Sequence, residues 1–445
     1  MNKRIRHLAA VGACVALCVV YILLAGSAVS QKSATYDEPM HVVAGWRMLW
    51  RDEYGFNADQ PPLWQYWIAL PLPKDALNYD ATPTSLSPDL RAIDALYRIP
   101  PAAGIELVKR ARGMCLPLAV ALGVLIAVWA GRLAGGVAAV AALFAFALDP
   151  NWLAHGPLAK NDVALSLAFV ATAYATWRLG QRACPATVAA VLLLPAICLA
   201  IKLSGVLATP IVAICLLART VMPTAWIAGG RRRAVLLAAA ICLGIAVVDY
   251  AAIWAEYRFQ WRSDVDVPAA VRNLQLQQVR IATGDAAPTP EELAAWRPGG
   301  LVRCVLWMEN RRLLPQAWVD LFLYFRANDS GTYQAFLLGD MYVGRRWDYF
   351  PLVWLFKEPV SLILAASISA SAAVRAARRL TWTSVVLLVA ALLYAAVIMS
   401  GNLNVGIRYL LPILALMDIG IGVAAATAWR SGWLVARFLV LLLAA

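Results

Sequence analysis

The run HLAAVGACVALCVVYILLAGSAVS, residues 7–30, is followed after a short polar turn by two adjacent carboxylates, Asp37 and Glu38, in ATYDEPMHVVAGW, residues 34–46. An apolar stretch of that length spans roughly 30 Å of hydrocarbon as a helix. Its basic start (Lys3, Arg4, Arg6) and small-residue end (Ala28, Ser30) also fit a secretory signal peptide. The apolar run is longer than the roughly 7–15 residues usual there, however, which favours an uncleaved first membrane helix. That reading fixes the fold class as an all-α polytopic membrane protein. It also raises the question of why an acidic pair sits where the chain leaves the bilayer.

The composition agrees with a membrane fold. Of 445 residues, 62% are hydrophobic and 15% charged, against about 45–50% and about 25% in soluble domains. The net charge of +13 does not point to nucleic acid. The basic residues cluster in short gaps between apolar runs, as orientation signals do. The 8 cysteines lie nearly all inside apolar runs, where cysteine behaves as a small hydrophobe, so no disulfide framework is expected. There is no internal repeat.

About eleven spans are predicted, near 8–30, 113–131, 136–152, 163–181, 186–202, 205–220, 234–254, 355–374, 382–400, 409–428 and 432–445. The fifth and sixth are short enough for a re-entrant pair. With the N-terminus cytoplasmic, every inside gap is short and carries Arg or Lys, as the positive-inside rule requires. Two long outside segments remain, 31–112 and 255–354, and loops of that size carry function. Each holds a Trp-rich interfacial piece, PPLWQYWIALPL (61–72) and RCVLWMENRRLLPQAWVDLFLYF (303–325). The chain is expected to form a single membrane domain over 1–445 with no C-terminal soluble domain.

Polar residues set in apolar surroundings gather at the outer ends of these spans. They are Asp37 and Glu38; His155, Lys160 and Asp162 in DPNWLAHGPLAKNDVAL (149–165); Lys202; Asp249; Lys357; and Arg408. A charge at membrane depth costs about 2.5–3.5 kcal/mol or more, which makes such residues functional candidates. Acids and bases in one outer layer suit a site that holds an anionic lipid headgroup and performs acid–base chemistry on it. Asp249 is expected to pair with an Arg as a packing bridge. His155 has no second ligand at metal spacing.

At these residues the sequence resembles the GT-C glycosyltransferases, in the branch near protein O-mannosyltransferases and the lipid A aminoarabinose transferase. The resemblance rests on six motifs in order: YDEPMHVVAGW, ADQPPLWQYWIALPL, LAHGPLAKNDVALSLAFVATAYA, LAIKLSGVLATP, AFLLGDMYVGRRWDYFPLVWLFKEPV and NVGIRYLLP. It implies a GT-C helix bundle in a bacterial inner membrane with its active site extracytoplasmic. It further implies an inverting hexosyl- or pentosyltransferase whose donor is a polyprenyl-phosphate-linked sugar. The acceptor would be a glycolipid, polysaccharide or protein. No cofactor, metal or nucleic-acid partner is implied. Asp37 would be the general base, its pKa raised by neighbouring acids and partial burial, with Asp162 and Glu38 as further catalytic acids. Lys357, Arg408 and Lys202, in that order, would hold the donor phosphate. Gln60 and His155 would position substrate. Gln60 departs from the family, which has His before Pro-Pro-Leu, and amide chemistry leaves it no acid–base role. The alternative class is a transporter or flippase of a lipid-linked sugar or anionic lipid. Transporters place their charges near the bilayer midplane in repeated halves, unlike the pattern here.

Overall fold

A computed structural model describes residues 3–56, 59–98, 101–284, 287–329, 331, 334–377 and 381–431. The chain opens with α1 (Lys3–Gln31), and the first long loop then folds into α2 (Glu38–Trp50), α3 (Pro62–Ala69), α4 (Pro88–Arg98) and α5 (Pro101–Gly113). A run of membrane helices follows: α6 (Leu116–Ala134), α7 (Gly136–Leu148), the short α8 (Pro150–His155), α9 (Asp162–Gln181), α10 (Pro185–Ile201), α11 (Ala208–Val221) and α12 (Gly230–Glu256). The second long loop holds α13 (Val267–Thr283), α14 (Pro290–Ala295), α15 (Gly300–Asn310), α16 (Gln316–Asn328), a hairpin of β1 (Gln334–Leu337) and β2 (Asp340–Val343), and α17 (Tyr349–Lys357). The bundle closes with α18 (Val360–Ala377), α19 (Trp382–Ser400) and α20 (Leu411–Ser431).

Among the described residues, seven helices are long and apolar enough to cross a membrane, and three shorter apolar helices, at 136–148, 185–201 and 360–374, accompany them. These ten fall on ten of the eleven predicted spans. The eleventh, 432–445, lies outside the described residues. On α1 the side chains of Leu8, Val11, Val15, Val19 and Leu23 are exposed, while Tyr21 and Ala25 are buried. That three-to-four-residue spacing leaves one stripe for lipid and one for protein. The Tyr21 hydroxyl donates to the Trp152 carbonyl at 2.9 Å. Small residues let the central helices approach closely, as is common between membrane helices. A methyl at Gly422 of α20 would come within 2.7 Å of Ala142 Cβ on α7.

The two long loops dock on one another. Asp264 Oδ1 accepts from the backbone N–H of Tyr54 at 2.7 Å and of Gly55 at 3.0 Å. The Tyr66 hydroxyl donates to the Glu256 carbonyl at 3.0 Å. The two Trp-rich pieces are helical, and each turns an apolar face inward. Trp64 and Ile68 of α3 join the main core, and Val302, Val305, Val319 and Phe322 of α15 and α16 build a second core with Leu274 of α13. Among the described residues Asp249 forms no bridge to Arg. Its Oδ2 accepts instead from the Thr209 hydroxyl at 2.7 Å, a shorter-range tie between α11 and α12.

Candidate active site

Four chain segments far apart in sequence bring charge to one place. Asp37 stands at the N-cap of α2 but makes no side-chain cap bond, so its carboxylate is available to the rest of the protein. Its Oδ2 lies 2.9 Å from Lys160 Nζ and 2.7 Å from Arg408 Nη1. Lys160 comes from the loop after α8. Arg408 sits in a 3₁₀ turn, Ile407–Leu410, entered through Gly406 at φ +86°, a backbone that glycine adopts without penalty. Asp162 opens α9 and holds Lys202 Nζ at 2.6 Å. Lys202 closes α10, and its ammonium lies 4.2 Å from the Tyr409 ring centroid.

A cavity of about 340 Å³ lies among these groups, a size suited to a small ligand. Its walls include Asp37, His41, Asp59, Gln60, Lys160, Asn161, Asp162, Lys202 and Arg408. Asn161 Nδ2 donates to Gln60 Oε1 and, at 3.1 Å, to the Ile201 carbonyl. Five of the eight residues given a role in the sequence analysis therefore line one cavity: Asp37, Asp162, Arg408, Lys202 and Gln60.

Three do not. Glu38 is wholly buried and turned away, in a bidentate pair with Arg112 at 2.7 and 2.8 Å. It also accepts from the backbone N–H groups of Thr35 and Ala159, and Arg112 caps the Val29, Lys32 and Ser33 carbonyls. Every lone pair and donor in this knot is used, so Glu38 is a structural brace rather than a free carboxylate. Lys357 is the exposed last residue of α17 and does not line the cavity. His155 is half-buried and does not line the cavity, its Nδ1 without a partner among the described residues.

The electrostatics correct one expectation. Burial by itself would raise the Asp37 pKa, but the Lys160 ammonium and Arg408 guanidinium outweigh it and hold the carboxyl well below its ordinary value. Opposite charges at hydrogen-bonding distance favour the ionised form more than partial burial opposes it. Glu38 is likewise held low: burial raises it, and Arg112 with the two N–H groups prevails. Asp59 goes the other way, raised by burial against the opposing influence of His41.

Sequence reading named Lys160 without giving it a role, and it did not single out three further cavity residues, His41, Asp59 and Asn161. A signal existed for two of them. His41 is four residues after Asp37, hence one turn along the same helix. Asp59 immediately precedes Gln60 in the Pro-Pro-Leu element.

No protein-family profile matches the sequence, and no curated protein does. Solved structures do match in fold. The archaeal oligosaccharyltransferase AglB from Archaeoglobus fulgidus, in complex with an inhibitory peptide and a dolichol-phosphate, is 11% identical. It superposes with a TM-score of 0.55 over 95% of this chain and 50% of its own. The apo form of the Archaeoglobus fulgidus oligosaccharyltransferase gives 12% identity and a TM-score of 0.57 over 96% and 51%. ArnT from Cupriavidus metallidurans, in the apo state, aligns at 16% identity over 98% and 77%, with a TM-score of 0.37. The chain spans about half the length of the oligosaccharyltransferase chains it matches. With ten apolar helices and this likeness, the chain is a multi-pass membrane protein of the GT-C fold.

Proposed function

We propose that this protein transfers a sugar from a polyprenyl-phosphate carrier to an acceptor hydroxyl, with inversion at C1, on the extracytoplasmic face of a bacterial inner membrane. The observation that carries the reading is Asp37 bonded to Lys160 and Arg408 on the wall of a cavity, with Lys202 and Asp162 beside them. The fold supports it, since the oligosaccharyltransferase of the same fold was solved with a dolichol-phosphate.

In this reading the donor phosphate settles on Arg408, Lys160 and Lys202. Charge-assisted hydrogen bonds from these groups are strong, and they strengthen as the leaving phosphate gains charge. The same event frees Asp37. The donor phosphodiester, with its single negative charge, competes for the two cations that depress its pKa, so the carboxylate becomes a better base once donor is bound. The acceptor oxygen then attacks C1 from the face opposite the phosphate. Its proton passes to Asp37, the C1–O bond to phosphate breaks, and the electron pair leaves on the phosphate oxygen. Asp162, anchored by Lys202, balances charge beside the acceptor. The exposed Lys357 has no part in this arrangement.

The direct test is incubation of the purified protein with radiolabelled polyprenyl-phosphate sugars and envelope acceptors, followed by identification of the labelled product. Absence of transfer from every donor, in a protein that binds polyprenyl phosphate, would remove the reading. The proposed sidedness, with 31–112 and 255–354 outside, is tested by a cysteine at the exposed Ser85. Ser85→Cys should react with a membrane-impermeant thiol reagent in intact spheroplasts. Reaction only after lysis would place the cavity on the cytoplasmic face.

A further inference from the structure

The cavity has two chemically different walls. One is cationic, with Lys160, Lys202 and Arg408 held by carboxylates. The other carries hydrogen-bonding groups, namely His41, Asp59, Gln60 and Asn161. A phosphate has an evident place on the first wall. A sugar attached to it has hydroxyl groups that must exchange water for protein partners when it is enclosed.

His41 stands in this second set, one turn along α2 from Asp37. Its side chain is 5% exposed, it lines the cavity, and its Nδ1 forms no hydrogen bond. Enclosed polar groups are nearly always hydrogen-bonded, so an imidazole on the cavity wall would pair with a polar group of a ligand held there. Burial keeps the imidazole pKa below its ordinary value despite Asp59 and Asp37, with Lys160 and Arg408 acting in the same direction as burial. A neutral imidazole donates one hydrogen bond and accepts another, which suits a hydroxyl.

We propose that His41 is a sugar-recognition residue, its imidazole holding a hydroxyl of the transferred sugar while the cationic wall holds the phosphate. The inference rests on the donor reading above and deepens it. His41 then selects for a glycosylated carrier over the bare one.

The test compares undecaprenyl phosphate with undecaprenyl-phosphate-linked hexoses and pentoses, binding each to the purified full chain in detergent. His41→Phe should weaken the glycosylated carrier about tenfold, the scale of one buried hydrogen bond, and leave the bare carrier unchanged. His41→Gln, which keeps a donor and an acceptor, should recover part of the loss. Because the chain has 3 histidines, imidazole ¹⁵N spectra of the wild type give a second measurement independent of how the variants fold. The His41 resonances should move with a glycosylated carrier and not with the bare one. Equal effects on both carriers, or no effect on either, would overturn the role of His41 and leave the donor reading standing. Failure of the wild type to bind either carrier would overturn the donor reading and this inference with it.

Discussion

The cavity wall around Asp37 and the small pocket bounded by Asp149, Glu358 and Asp418 are both built from carboxylates set back from solvent. At Asp37 two cations arrive and the carboxyl is held ionised. The second pocket, about 10 Å³ and so with room for about one water, has no cation paired to any of its three acids among the described residues. Asp149 accepts only from Asn151, and Asp418 from the Trp152 indole. Burial there pushes Asp149 up to about 6, and burial with the nearby Asp149 pushes Glu358 up to about 8. Burial alone therefore does not set the charge of these acids, and what distinguishes the Asp37 cavity is the pair of cations at its carboxylate.

The widest separation between the two regions is expected in turnover. Asp37→Asn preserves shape but cannot take the acceptor proton, and should lower the transfer rate by about 10²–10⁴-fold with donor binding largely intact. Glu358→Gln should leave the rate near that of the wild type. Near-full turnover in Asp37→Asn would move the base elsewhere, with Asp162 first in line.

Next in size is the brace behind the cavity. Arg112→Met leaves Glu38 buried and unpaired, which should cost about 3–5 kcal/mol of stability. Chemical denaturation in detergent reads this directly. Adding Glu38→Gln should return much of the loss, and failure to do so would show that Arg112 matters chiefly for the three carbonyls it caps.

A smaller effect is expected at the phosphate wall. Arg408→Ala should raise the donor KM by about 10–100-fold, the worth of a hydrogen bond to a charged group. Arg408→Lys should recover only part of it, since lysine supplies a point charge and not a planar fork. Lys357→Ala should change neither parameter. The reverse pattern would restore Lys357 as the phosphate contact.

The smallest effect is in the dependence of stability on pH, and it has opposite signs in the two regions. The folded-state pKa of Glu358 is raised from 4.5 to about 8. Between those values the folded state holds a proton that the unfolded state has lost, so stability falls as pH climbs through that window. Asp37, held low, contributes above its ordinary 3.8 and loses its contribution as pH falls below it. Glu358→Gln should flatten the slope of Tm between pH 5 and 8 and raise Tm at pH 8. An unchanged slope would show that another group carries it.

Much of the site could be read from polar residues at the ends of apolar runs. Asp162 opens α9, Lys202 closes α10, Arg408 sits in the turn before α20, and Asp37 follows α1 at the N-cap of α2. What could not be read is which way a side chain faces near a helix start. Asp37 and Glu38 are neighbours, yet α2 turns successive side chains by about 100°, so one carboxylate meets Lys160 and Arg408 and the other meets Arg112. The same holds for Lys357: its position in a motif says nothing of the face it takes at the end of α17, where it is exposed and does not line the cavity. His41 escaped notice because a single histidine among the apolar residues of α2 reads as core. The pocket acid Asp418 was hidden in the middle of a membrane helix, where only the fold shows that Trp152 reaches it.

The bond between Asp37 and Arg408 closes a gap of 371 residues, and that gap is also an interval of time. At about 5–20 residues per second, synthesis separates the two by roughly 20 to 75 s. The nascent chain inserts its acid first and gains Lys160 well before Arg408. The first helices are thus in the bilayer while Asp37 still lacks its second cation, and the Asp37–Arg408 pair is completed long after its acid was made.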